Sequence, residues 1–187
     1  MKVALYFGSF NPVHAGHTGL ADFIIDHQLA DELWMIVSPS NPLKEQSILI
    51  DESHRISMLQ LALQDRPHIR ISDIEFDLPK PSYTIHTLEI LADKYPDIEF
   101  SLLIGSDNAL VFNLWKEYRK ILQKFPVWVY PRRNFDLQAA ICNYPEMIQI
   151  DSPYFDISST EIRNQIKKGI SPGQWLHPDV YKYILNH

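Results

Sequence analysis

The stretch Gly8-Ser9-Phe10-Asn11-Pro12-Val13-His14-Ala15-Gly16-His17 follows directly on the apolar run Val3-Ala4-Leu5-Tyr6-Phe7. A short apolar run bounded by glycine reads as a buried strand. After Gly16, the residues Leu20, Phe23, Ile24 and Leu29 recur at helical spacing, which predicts a helix reaching Ala30. The decapeptide is therefore a strand-to-helix turn carrying two histidines three residues apart. The first N–H groups of such a helix lack internal partners and, with the helix dipole, form an anion site suited to phosphate. Gly8 and Gly16 are expected to let the main chain approach a ligand without a Cβ in the way, and His14 and His17 add side-chain donors. No Gly-Lys-Ser/Thr follows, so the turn is not an ATPase phosphate loop. Zinc is disfavoured as well, because two histidines need further Cys, His or carboxylate ligands at short spacing and none is near.

Working outward, Leu33 to Val37 reads as a second strand, running into the proline-broken loop from Ser38 to Lys44. Asp51 is placed to cap a helix through Ile56, Leu59 and Leu63. Ile69 to Ile71 is a third strand. Pro79 and Pro81 hold an extended segment, and Ser82 is expected to cap a helix through Leu88 and Leu91 that stops before Pro96. Phe100 to Ile104 is a fourth strand, followed by Gly105-Ser106-Asp107 and a helix over roughly Leu110 to Leu122. Val127 to Tyr130 and Met147 to Ile150 are the fifth and sixth strands, with a short helix near Leu137 to Ile141 between them. Helices over Ser159 to Lys168 and Pro178 to Leu185 close the chain. This alternation predicts a single α/β domain over residues 1–187, a Rossmann-like doubly wound parallel sheet of about six strands with helices on both faces. In such sheets ligands bind beyond the carboxyl ends of the strands. The loops after the first, second, fourth and sixth strands should therefore converge on one crevice.

The chain has 187 residues, 45% hydrophobic and 21% charged, enough for one sizeable core and too few for two comfortable ones. A net charge of −6 argues against non-specific binding of nucleic acid, so any polyphosphate site must be locally positive. The single cysteine, Cys142, excludes an internal disulfide and fits a reducing compartment. Neither a signal peptide nor a membrane-spanning run is legible, and a cytoplasmic location is the expectation. In Ile157-Ser158-Ser159-Thr160-Glu161-Ile162-Arg163, Ser158 and Glu161 have the spacing of a capping box. Arg163 follows in the first turn of that helix, near its positive end. A cation there is reasonable where an anion occupies the helix N-terminus.

The first turn, in its strand-loop-helix setting, resembles the signature of the HxGH nucleotidyltransferases. Ile157 to Arg163 is similar to the ISSTxIR segment of the same family. The resemblance covers nearly the whole chain, with two departures: Phe7 stands where the family usually has a first glycine, and Asn11 where it has aspartate. It implies an ATP site formed by Gly8, Ser9, Phe10, His14, His17, Gly105, Asp107, Ile157, Ser158 and Arg163, completed by the C-terminal helices over 158–187. It implies catalytic roles for His14, His17, Lys44 and Arg163, with Lys44 ending the family's proline-rich loop and meeting acceptor or transferring phosphate. Pro81-Ser82-Tyr83-Thr84-Ile85-His86-Thr87-Leu88 looks like a segment of one branch, the nicotinate mononucleotide adenylyltransferases. There the threonine matching Thr84 receives the ring carboxylate, beside Tyr83. Trp115 matches that branch's stacking tryptophan, for which a cationic pyridinium is a fitting partner; the other reading of Trp115 is a core residue.

Implied substrates are ATP, with Mg2+ travelling on it without dedicated protein ligands, and nicotinate mononucleotide. Neither nucleic acid nor membrane is an expected partner. Pantetheine-phosphate adenylyltransferase and a non-catalytic nucleotide-binding module are the alternatives. The resemblance assigns no role to Arg132 or Arg133, no oligomeric state, and no closure of the loop 39–50 over substrate.

Overall fold

The computed structural model describes residues 1–39 and 49–187; Lys44 and nearly all of the 39–50 loop lie outside the described residues. The elements in chain order are β1 (Lys2–Gly8), α1 (Ala15–Asp26), β2 (Glu32–Val37), α2 (Glu52–Leu63), β3 (Ile69–Ser72), α3 (Thr84–Lys94), β4 (Glu99–Gly105) and α4 (Ser106–Leu110). There follow α5 (Tyr118–Lys124), β5 (Val127–Tyr130), α6 (Leu137–Asn143), β6 (Ile148–Gln149), α7 (Ser159–Lys167) and α8 (Pro178–Asn186). Short 3-10 turns occupy Ile74–Asp77, Phe112–Leu114 and Gly173–Trp175. The six strands form one sheet in the order β3-β2-β1-β4-β5-β6, every neighbouring pair parallel. This is the Rossmann-like doubly wound arrangement, with its reversal of winding between β1 and β4.

Strand side chains alternate between two helix layers, as the period of two requires. Ala4 and Tyr6 of β1 join Leu33 and Met35 of β2 under α1, α2, α7 and α8, whose apolar stripes include Leu20, Leu59, Ile162 and Val180. Val3 and Leu5 face the other way with Trp34, Ile36, Leu102 and Val129, under Ile85, Leu88, Ala109, Ile121 and Ala140 of α3 to α6. The sheet thus separates two cores, and both reach the rim where β1 and β4 end.

Several boundaries differ from the sequence reading, each for a local reason. Helix α1 stops at Asp26 because Gln28 adopts a left-handed φ of 54°. The Leu29 amide then bonds the Ile24 carbonyl and the Gln28 amide the Ile25 carbonyl, closing the helix in a Schellman motif. The helix expected over 110–122 is interrupted: α4 ends at Leu110, and Trp115 and Glu117 leave the helical conformation, Glu117 at φ 51°. Phe112 is fully buried whereas Leu114 is 66% exposed, so tertiary packing selects a broken path over a continuous apolar face. Ser82 does not cap α3, whose N-cap is Tyr83; its hydroxyl goes instead to the Glu75 carboxylate. The Asp51 cap is present, its Oδ1 accepting from the Ser53 amide at 2.8 Å. The final strand is only two residues long. Among the described residues no helix is long and apolar enough to cross a membrane.

Candidate active site

A cavity of about 660 Å³ opens beyond the carboxyl ends of β1 and β4, at the point where the winding reverses. It is lined by the end of β1 with the turn that follows, by Ser38 after β2, by Gly105 at the end of β4 and by Asp107 just beyond it. Tyr130 and Arg132 around the end of β5 and the first turn of α7 complete that side, while Tyr83, Thr84 and Trp115 line the other. The loops after β1, β4 and β6 converge as expected, with Ser38 directly after β2 beside them and the loop after β5 joining them.

At the centre, His14 is the N-cap of α1, its Nδ1 accepting from the Gly16 amide at 3.1 Å. His17 Nδ1 in turn accepts from the His14 amide at 3.2 Å. With each Nδ1 accepting from the backbone, the proton of each neutral ring is assigned to Nε2. The rings lie 3.8 Å apart at 33°, and the edge of Phe10 braces His17 at 5.1 Å. Burial first, and then the positive field of Arg132, push the His14 pKa down from 6.5 to about 3. His14 is therefore a neutral donor at ordinary pH, suited to a phosphate oxygen without carrying charge itself.

The turn is shaped around these rings. A Cβ on Gly16 would sit 3.0 Å from the His14 imidazole, and one on Gly8 would sit 2.9 Å from the Phe10 ring. The glycines make room first for the turn's own side chains, a different reason from the ligand approach read in the sequence. Phe10 holds a left-handed φ of 47°, unfavourable for a bulky residue, while its ring is 1% exposed beneath Gly8. Arg55 of α2 supports the turn from below. Fully buried, it donates through Nη1 to the carbonyls of Ser9 and Ser38, both at 2.8 Å, clamping the loops after β1 and β2 together.

Helix α7 docks on the same turn. Ser159 Oγ donates to the Pro12 carbonyl at 2.9 Å, and Arg163 Nη1 donates to the Asn11 carbonyl at 2.6 Å. Arg163 also donates to Thr160 Oγ1 at 3.1 Å and lines the cavity. Ser158 caps the helix by accepting from the Glu161 amide at 3.2 Å; its hydroxyl, not its backbone, bonds the Glu161 carboxylate at 2.6 Å. Ile157 contributes no side chain to the cavity: it is buried in the core and packs against Gly16. Across the floor, Tyr6 and Tyr130 hydroxyls meet at 3.3 Å, Arg132 donates to the Tyr130 hydroxyl at 3.4 Å, and Arg132 Nε lies 3.8 Å from Asp107 Oδ2. Burial holds the Tyr6 phenol well above its usual pKa. Asp107 lines the cavity, and its Oδ1 is buried with no partner among the described residues. Gly105 is the N-cap of α4.

The far end of the cavity is built by α3 and the broken helix. Among the described residues no side chain caps α3, so its first amides, at Thr84 and Ile85, stand as donors beside the cavity. Trp115 lines the cavity and also packs on Phe112 at 5.1 Å, so it has a place in the second core while bordering the cavity. Its Nε1 is buried without a partner among the described residues. Lys116 lies 4.4 Å over the Tyr83 ring, a cation–π contact at the same rim. Phe7 lines the cavity as well, leaning on the second core. Arg133 pairs with Asp156 at the surface. Among the described residues no group of three or more His, Cys, Asp or Glu side chains could hold a metal.

Sequence reasoning missed Arg55, Glu75 and Tyr130, and left Arg132 unassigned. Arg55 and Glu75 sit among helical and turn residues with no local signature, and only their burial marks them. Arg132 could have been found as the first cation beyond a predicted strand end.

The cytidylyltransferase-like family model matches residues 5–165. The probable nicotinate-nucleotide adenylyltransferase of Flavobacterium johnsoniae is 44% identical over 185 residues, covering 98% of this chain and 96% of the relative. That of Bacteroides fragilis is also 44% identical, covering 98% of this chain and 91% of the relative. In structure, the Plasmodium falciparum nicotinic acid mononucleotide adenylyltransferase complexed with NaAD superposes with a TM-score of 0.84 at 21% identity, over 99% of this chain and 95% of that one. The last of these supports the fold alone.

Proposed function

Since the chain belongs to the cytidylyltransferase-like family, and within it to the nicotinate-nucleotide adenylyltransferases, we propose that its cavity joins ATP to nicotinate mononucleotide with release of pyrophosphate. The reaction is an in-line displacement: the acceptor's 5′-phosphate oxygen attacks the α-phosphorus of ATP as the bond to the β-phosphate bridge breaks. An ionised phosphate is already a nucleophile, so no protein nucleophile is needed. The protein's share is positioning and charge stabilisation, the large terms for this chemistry.

His14 and His17 donate through Nε2–H to oxygens of the transferring phosphoryl group, whose negative charge grows in the transition state. Holding His14 neutral keeps its proton on the ring during the step. Arg163, with the amides at the start of α7, takes the departing pyrophosphate, and Arg132 adds positive field beside His14. Asp107 accepts from a ribose hydroxyl of the nucleotide, while Gly8, Ser9 and Phe10 line its path along the turn. Mg2+ enters as MgATP, bound through phosphates and water. At the far end, the Thr84 hydroxyl and the first amides of α3 receive the ring carboxylate beside Tyr83, and the Trp115 indole stacks on the pyridinium. Lys44 is proposed to reach the same phosphates.

The observation that carries the reading is the pairing of two backbone-anchored histidines with Arg163 and Arg132 in one cavity whose other end holds Thr84 and Trp115. Incubating the protein with ATP, Mg2+ and a panel of acceptors, with pyrophosphate and dinucleotide measured, tests it. Nicotinate mononucleotide should be the best acceptor. Efficient turnover of phosphopantetheine with none of the mononucleotide, or no turnover of any acceptor, overturns the reading.

A further inference from the structure

Glu75 sits in the 3-10 turn Ile74–Asp77, 3% exposed, at the wall of the cavity. No cation pairs with it among the described residues. Among the described residues hydroxyls alone hold it: Thr87 Oγ1 donates at 2.8 Å, Ser82 Oγ at 3.2 Å, and the Ser38 hydroxyl donates as well. Burial pushes its carboxyl up, and those three bonds pull it part of the way back. Burying an unpaired carboxylate is costly, so the arrangement needs a reason. An ionised carboxylate only accepts, so each hydroxyl facing it must donate, although a hydroxyl can itself accept as well. Glutamine supplies one oxygen and turns its NH2 toward a hydroxyl. The carboxylate therefore fixes the direction of all three hydroxyl protons.

The donors come from segments that must keep register around the acceptor. Ser38 follows β2, Ser82 precedes Tyr83 and Thr84, and Thr87 closes the first turn of α3. We propose that Glu75 is a positioning residue for the acceptor nucleotide: by accepting hydrogen bonds from the Ser38, Ser82 and Thr87 hydroxyls it locks the start of α3 against the loop after β2, at the geometry in which Tyr83 and Thr84 receive the acceptor's ring. This rests on the acceptor reading given above. Thr87 is the informative partner. It is fully buried and absent from the cavity wall, so it acts on substrate only through Glu75 and the helix start.

The test compares the wild type with Glu75→Gln, Thr87→Val and the double variant, measuring both KM values and kcat with ATP and nicotinate mononucleotide. Losing a hydrogen bond to a charged group should raise KM for the mononucleotide about tenfold in Glu75→Gln and several-fold in Thr87→Val. KM for ATP should stay within about twofold, and the double variant should be no worse than Glu75→Gln alone, because both changes break one network. If Glu75→Gln does not fold, Thr87→Val, which keeps the side-chain shape, carries the same comparison. Acceptor KM unchanged in the folded variants, or both KM values rising together, overturns the inference while leaving the reaction standing. A wild type that makes no dinucleotide overturns the functional reading, and this inference with it.

Discussion

Replacing His14 by asparagine separates its structural from its chemical contribution. Asn is a favoured N-cap, and its Oδ1 can take the Gly16 amide that His14 Nδ1 accepts now, so the helix start survives. What disappears is a titrating ring whose pKa is about 3 in the folded protein against 6.5 for the free side chain. Because the folded value is the lower one, the unfolded chain takes up the proton first. His14 therefore contributes stability that is complete above pH 6.5 and is lost as the pH falls toward 3. Linkage over those two values gives a loss of about 2 kcal/mol between pH 7.5 and pH 5. Urea unfolding at the two pH values, for wild type and His14→Asn, reads it directly. The wild type should lose about 2 kcal/mol more than the variant over this interval. Equal losses in the two proteins would show that His14 is not held neutral by its surroundings, and the neutral-donor role would fall with it.

His17→Ala should lower kcat at least about a hundredfold, the lower end for loss of a transition-state donor, while circular dichroism stays unchanged; a normal kcat in the folded variant would remove His17 from the chemistry. Arg163→Ala should raise KM for ATP more than KM for the mononucleotide and also lower the melting temperature, since the bond to the Asn11 carbonyl goes with it; equal effects on the two substrates would point to undocking of α7 alone. Trp115→Ala should weaken the mononucleotide by about two- to thirtyfold, the range for a cation on an indole face, with ATP little affected; a variant that melts early yet binds the mononucleotide normally would leave Trp115 only its packing role. Arg55→Met should cost about 3–5 kcal/mol in urea unfolding, because two half-buried carbonyls lose a charged donor; a cost below about 1 kcal/mol would contradict the clamp.

The parallel sheet was legible because its strands are buried on both faces and read as short apolar runs between glycine and proline signals. His14, His17 and Arg163 were legible because each sits at a helix start, where spacing in the chain becomes spacing in the site. The broken helix around Trp115 was not. Phe112, Leu114 and Trp115 fit an unbroken helical pattern, and only the demand of the second core for Phe112 breaks it. Ser82 had the look of a cap and serves a buried carboxylate instead, a competition between local and distant acceptors that no window of sequence displays. Arg55 and Glu75 were invisible for the same reason: their partners lie on other elements, 17 and 46 residues away for Arg55, and 7 and 12 for Glu75.

The two cores on opposite faces of the sheet bear on how such a chain can diverge. The elements presenting His14, His17 and Arg163 are anchored in the layer of α1, α2, α7 and α8, whereas those presenting Thr84, Asp107 and Trp115 are anchored in the layer of α3 to α6. Repacking beneath α3 or around Phe112 shifts the second group while the first keeps its own foundations. Descendants can thus explore new acceptors by drift in one layer while the phosphoryl-transfer apparatus is inherited intact in the other, and the strands between them act as the partition that keeps the two histories apart.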